Sequence, residues 1–173
     1  MAEALHSLGL KGKELLMERG WKREISIERR PPKNLEHFLG INDIRVAVER
    51  SAENDGMELG FFFASWELQQ EGWTFPVIPD AACHVEHTGK PTTILFEYDR
   101  GEESTGYLVR TKFNPYARGL NGFPFSGVLV VVDSEDRLEE LREHVEQTAK
   151  PELFSFTLLE EMKRSWSLTN WFS

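Results

Sequence analysis

Between Pro79 and Tyr116 the chain carries Asp80, Glu97, Asp99 and Lys112 in that order, with Tyr116 four residues beyond the lysine. Two or three converging carboxylates can hold a hard divalent cation. A nearby ammonium can then orient a water or offset charge developing on a phosphate. These are the requirements of metal-assisted phosphodiester cleavage, with Mg2+ or Mn2+ as the cofactor. Asp80 follows Pro79 at the start of a strand, and Glu97 and Asp99 lie two apart in the next apolar strand, so they share a face. Pairing across a turn at residues 88–91 would set that face beside Asp80. Carboxylates so placed repel one another unless a cation or protons compensate, which makes Asp80, Glu97 and Asp99 the expected metal ligands. The competing reading is that Asp80 caps a turn and Glu97 pairs with Arg100 or Arg110. Lys112 and Tyr116 share a face of any helix that continues through them. Pro115, however, would clash with the carbonyl of Thr111 in a regular helix.

Two supporting residues lie earlier in the chain. His37 sits on a long helix, with Glu36 or Asp43 as its neighbour depending on which face turns inward, and Glu67 follows Trp66 at the end of an apolar run. The single Cys83 has no activating partner in its sequence surroundings. With His84 and His87 it forms no zinc spacing. Neither GxxxxGK[ST] nor GxGxxG occurs, which removes P-loop and dinucleotide readings.

The elements that must position these residues can be read from periodicity. Residues 1–20 read as a short helix and Trp21 to Glu28 alternates as a half-exposed strand, with a boundary at Pro31-Pro32. Asn34 can cap a long amphipathic helix running to about Glu53. Met57 to Trp66 reads as a strand covered on both faces. Ala81 to Glu86 and Thr92 to Asp99 form a hairpin across Thr88-Gly89-Lys90-Pro91. A helix from Glu102 to Phe113 should end or kink at Asn114-Pro115, and Gly127 to Val132 is a buried strand. Ser134 caps another helix and Leu153 to Leu158 is a last strand. Helix, three strands, helix, strand, helix, strand is an α/β layer architecture. Trp166, Trp171 and Phe172 make the tail aromatic enough to pack on the body.

The composition, 40% hydrophobic and 28% charged over 173 residues, is that of one folded domain with a small appendage. No apolar run approaches the roughly 20 residues needed to cross a bilayer, and no membrane association is expected. One cysteine makes the cytoplasm the default location. The net charge of −9 argues against broad electrostatic binding of nucleic acid. Residues 1–50 nevertheless carry 10 Lys/Arg against 8 Asp/Glu. Within them Lys22, Arg23, Arg29 and Arg30 are either a solvated face or a DNA-contacting edge.

The runs LEHFLGINDIRVAVE, IPDA, FEYDRGEEST, KFNPY and VLVVVDSEDR, which together span most of residues 34–137, resemble the replication-relaxation family of plasmids and other mobile elements. The resemblance implies a DNA-associated protein of plasmid replication or transfer. It also implies an N-terminal winged helix-turn-helix, of which residues 1–33 would be a remnant in a truncated chain. The C-terminal region of that family is similar to the restriction-endonuclease-like PD-(D/E)xK fold, a mixed central sheet flanked by helices, expected here over residues 34–173. On that similarity Asp80 and Glu97 take the two acid positions. Asp99 stands where a lysine is usual, and Lys112 with Tyr116 resembles a helical Q/K-xxx-Y motif. Asp99 is then either a further metal ligand or the partner of Arg100. Two other classes of function fit the same residues: a catalytically silent regulator that keeps the fold for DNA or protein contacts, and a homodimer formed through the aromatic tail.

Overall fold

The computed structural model describes residues 14–15, 17–19, 34–72, 76–120 and 122–172. Backbone contacts divide the chain into one unit of residues 1–35 and another of residues 36–173. In the first, Glu14, Leu15, Met17 and Glu18 are helical and the Arg19 N–H reaches the Leu15 carbonyl at 3.1 Å. The Trp21 to Glu28 strand, the winged-helix expectation and the basic residues Lys22, Arg23, Arg29 and Arg30 lie outside the described residues.

The second unit is a five-stranded mixed sheet with helices on both faces, in the strand order β1-β2-β3-β4-β5. Helix α1 (Leu35–Asn54) precedes an antiparallel meander of β1 (Glu58–Ala64), β2 (Ala81–His87) and β3 (Lys90–Asp99). β4 (Gly127–Val132) and β5 (Phe154–Leu158) then add in parallel beyond β3. Parallel neighbours need crossover connections. The first is a helix from Thr105 to Arg118 and the second is α5 (Glu135–Val145). The order of strands and long helices matches the one expected from the sequence; the short helices Ser65–Gln70, between β1 and β2, and Leu159–Ser165, after β5, are additions to it.

The helix expected from Glu102 starts at Thr105, and three further boundaries differ from expectation, each for a local reason. The β2–β3 turn is only two residues long, because Thr88 and Gly89 both take positive φ (50° and 77°), the geometry that continues the twist of a hairpin. β3 therefore starts at Lys90 rather than Thr92. β1 stops at Ala64 rather than Trp66; it is an edge strand, with Phe62 in one apolar layer and Phe61 and Phe63 against the other, so its second half is covered on both faces as expected. The Glu67 carboxylate accepts the Ala64 N–H at 2.8 Å and opens a short helix, α2 (Ser65–Gln70).

The third difference matters most. The helix after β3 does not end at Pro115. It runs as α3 (Thr105–Leu108), a π-helical turn (Val109–Phe113) and α4 (Asn114–Arg118). A wide turn leaves carbonyls without an i+4 donor, so the N–H that Pro115 lacks is not required and its ring escapes the carbonyl it would otherwise strike.

The sheet separates two apolar layers. On one side Ile41, Ile44 and Val48 of α1 pack against Phe62, Cys83, Ile94, Phe96, Leu129 and Val131. On the other, Phe113, Tyr116, Leu138 and Leu141 cover Ala82, Leu95, Val128 and Val130. Trp166, Trp171 and Phe172 join the first layer. The tail is tied to α1 by Ser167 Oγ donating to Asp55 Oδ2 (2.7 Å) and by the Leu168 N–H donating to Ser51 Oγ (2.7 Å). Among the described residues no helix is long and apolar enough to cross a membrane.

α1 comes close to β3 at one point. A Cβ built on Gly40 would lie 2.0 Å from the Tyr98 ring, a separation no side chain can occupy. Gly40→Ala is expected to destabilise the fold by about 1–3 kcal/mol through overpacking, read as a lower urea midpoint at unchanged m-value. The Tyr98→Leu background should remove most of that loss.

Candidate functional site

The β2–β3 register pairs Ala81 with Phe96, so Asp80, one residue before β2, stands opposite Glu97. Asp80 Oδ2 accepts the Tyr98 N–H at 2.9 Å and lies 3.2 Å from Nε2 of His37 on α1. The His37 ring also stacks on Tyr98, with centroids 5.5 Å apart. Glu97 projects to the opposite layer, where Lys112 Nζ sits 3.2 Å from Oε1 and 3.1 Å from Oε2 and the Tyr116 hydroxyl donates to Oε1. Lys112 Nζ also donates to the Ile78 carbonyl at 3.0 Å, which holds it beside the approach to Asp80. The structure thus brings His37, Asp80, Glu97, Lys112 and Tyr116 together at one end of β3. Asp80 and Lys112 side chains are 20% and 24% exposed against 7% for Glu97, so a ligand would meet Asp80 and Lys112 first.

The π turn makes this possible. It keeps Lys112 and Tyr116 on one helical face across Pro115, and both reach the same carboxyl group. π turns within α-helices recur at functional sites.

Electrostatics separate the two acids. Burial and the neighbouring Asp80 charge push the Glu97 carboxyl up to about 8, against the opposing effects of Lys112 and Tyr116. Burial acts on Asp80 in the same sense, yet the His37 hydrogen bond and the Lys112 charge outweigh it and hold that carboxyl below its ordinary value. The bond to Asp80 raises His37 against its burial. Burial disfavours the Lys112 ammonium, but Glu97 and Asp80 more than compensate. One carboxyl that keeps its charge beside another that retains a proton is a division characteristic of acid–base and ligand-binding sites.

Asp99 and Glu67 are not part of this cluster. Asp99 shares the sheet face of Glu97, but two residues along a strand is about 7 Å. At that distance Asp99 Oδ2 accepts Arg137 Nε at 2.6 Å and Oδ1 accepts the Gly101 N–H at 3.1 Å. Its partner is therefore Arg137 rather than Arg100, which pairs with Glu36 and Glu102. Glu67 pairs with Arg45 and the Ala64 N–H. Among the described residues no group of three or more His, Cys, Asp or Glu side chains is arranged to hold a metal ion. Cys83 is buried and its thiol is pushed far up by desolvation, which leaves it inert.

Sequence reasoning overlooked Arg137. Its guanidinium also donates to Thr105 Oγ1, Glu140 Oε2 and the Glu103 carbonyl, each at 2.7 Å. The residues it joins lie at the end of β3 and the start of the helix bearing Lys112, so it fixes the angle between Glu97 and its lysine. The available signal was Ser134, whose Oγ accepts the Arg137 N–H: a helix start after β4 lies at the same end of the sheet as Asp99.

The fold and this site define a mixed α/β protein with a buried acid–lysine–tyrosine cluster at one end of its central strand. The replication-relaxation family model matches residues 2–122, about 70% of the chain, and the protein belongs to that family. No curated protein and no solved structure matches it.

Two outcomes follow from this geometry. Between about pH 4.5 and 8 the folded state holds a proton on Glu97 that the unfolded chain has released, so this group's contribution to stability falls as pH rises through that window. In Glu97→Gln the decline should flatten, leaving the variant more stable than wild type at pH 8 and above; urea titrations at pH 5 and 8.5 read the difference. Arg137→Ala leaves Asp99 buried without its partner and should cost about 3 kcal/mol. Arg137→Lys should recover only part of that in the same titration, since an ammonium cannot span four acceptors.

Proposed function

We propose that residues 34–173 form a PD-(D/E)xK-like domain that cleaves phosphodiester bonds in DNA with Mg2+ or Mn2+. The observation that carries the reading is the convergence of Asp80, Glu97 and Lys112, with Tyr116, at the end of β3. Asp80 and Glu97 would hold the cation, which supplies Lewis-acid stabilisation of the phosphate and a more acidic water. The donor set suits such an ion: Mg2+ binds through one or two carboxylates and keeps several waters. Lys112 would hold a water or offset charge at the phosphate, Tyr116 would orient Glu97, and His37 would orient Asp80. Residues 1–33 are proposed as a winged-helix-type segment whose Lys22, Arg23, Arg29 and Arg30 contact the DNA backbone. Membership of a replication family and the acidity of residues 51–173, with 10 Lys/Arg against 21 Asp/Glu, support placing the contact there.

A second reading is favoured by one observation. At the position two residues beyond Glu97, where a nuclease of this type usually carries its lysine, stands Asp99 clamped by Arg137. That substitution suits a silent domain that keeps the fold for regulatory contacts with DNA or protein.

Supercoiled and linear DNA incubated with Mn2+ or Mg2+ should be cleaved by the wild-type chain, and Asp80→Ala and Lys112→Ala should each lose at least about 100-fold in rate. Calorimetric titration should show Mn2+ binding that Asp80→Ala abolishes. Cleavage that persists in Asp80→Ala overturns the nuclease reading. Absence of both cleavage and Mn2+ binding establishes the silent regulator.

A further inference from the structure

A cavity of about 620 Å³ lies away from the acid–lysine cluster, beside the edge strand β5 and the chain that follows it. Two indoles line it, Trp166 and Trp171. Trp171 is held by a specific accommodation: a Cβ on Gly127 would lie 2.6 Å from its ring, so only glycine at the start of β4 lets the indole rest there. The polar lining includes the Glu161 carboxylate and the hydroxyls of Ser155 and Ser165. All three residues are exposed, at the mouth of the cavity, and among the described residues none of their side chains has a protein hydrogen bond or ion pair, so they face solvent and any ligand that enters. Among the described residues no lysine, arginine or histidine lines the cavity, and Arg142 stands over the Phe156 ring from α5, on the other side of the sheet.

We propose that this cavity binds a nucleobase, with guanine preferred, and excludes its phosphate. The indoles offer flat surfaces on which a base can stack. An unpaired carboxylate accepts the adjacent ring N–H and amino donors of guanine together, a pairing that uracil and thymine lack. Serine hydroxyls and indole N–H groups can donate to its carbonyl. A lining with one carboxylate and no cation repels a phosphate, so the base must enter edge-first with its sugar–phosphate outside. The volume falls within the range of small-ligand sites. A base is favoured over other flat rings by the paired acceptors of the Glu161 carboxylate; the replication-family match covers residues 2–122, outside the cavity, and supplies the nucleic-acid setting only for the chain as a whole. The proposal is independent of metal binding at Asp80 and Glu97.

The test follows intrinsic tryptophan fluorescence of the full chain in EDTA during titration with guanosine, uridine and an oligothymidylate bearing one guanine. Guanosine or the oligonucleotide should quench saturably, with uridine at least about tenfold weaker. Glu161→Gln, a surface change that leaves the core intact, should weaken the interaction about tenfold or more. Response to both ligands assigns a site open to free nucleosides; response to the oligonucleotide alone assigns a site for an unpaired base in a strand. Lack of saturable quenching by either, an equal response to uridine, or unchanged affinity in Glu161→Gln overturns the proposal. The same titration on Asp80→Ala should match wild type, so loss of nuclease activity and loss of base binding read out separately.

Discussion

A carboxyl group buried on the central strand sets the terms for the rest of this fold. Glu97 lies on β3, which pairs antiparallel with β2 on one side and parallel with β4 on the other, so neither strand edge is open to water. Burying such a group unsatisfied costs several kcal/mol. Its partners must therefore come from the layer above, and they come from one helix: Lys112 and Tyr116. That helix must continue far enough for Tyr116 to arrive, which means passing Pro115. The π turn is the local solution to a demand made by a residue in another element.

Around Glu97 the surrounding devices hold geometry. Arg137 ties Asp99, Glu103 and Thr105 and so fixes the connection between β3 and the helix. On the other sheet face, Gly40 admits the Tyr98 ring, whose hydroxyl donates to Asp133 at 2.8 Å and whose face stacks on His37. The same close approach that packs α1 also delivers His37 to Asp80. Packing and site geometry are consequently coupled: a shift of α1 moves a polar contact at the cluster.

Much of this was legible in the sequence because it depends on short-range patterns. Period-two spacing put Glu97 and Asp99 on one face, and an i,i+4 step put Lys112 and Tyr116 on another. What remained illegible depended on three-dimensional offsets. Sharing a sheet face did not bring Asp99 to Glu97, because about 7 Å along the strand is enough for a different partner to intervene. Pro115 reads as a helix end or kink because periodicity contains no signal for a wide turn. The partner of His37 is 43 residues away in sequence, beyond any helical or strand period. Arg137 was passed over for a similar reason: an arginine in the first turn of a helix reads as a solvated charge until the strand end beside it is known.

The charge logic of the cluster bears on what can bind there. Lys112 already neutralises part of the negative charge of Asp80 and Glu97, and the proton on Glu97 removes more. A divalent cation would have to displace that proton and pull the carboxylates away from the ammonium. Its affinity would thus rise with pH as Glu97 deprotonates, and binding would release a proton. The displaced ammonium, still held by the Ile78 carbonyl, would then be free to face an incoming anion. An acid–lysine pair of this kind is a closed circuit without a cation. With one, the same groups would divide into a metal-binding half and an anion-facing half. On the proposed nuclease reading, the proton on Glu97 is the charge that a bound cation would have to replace.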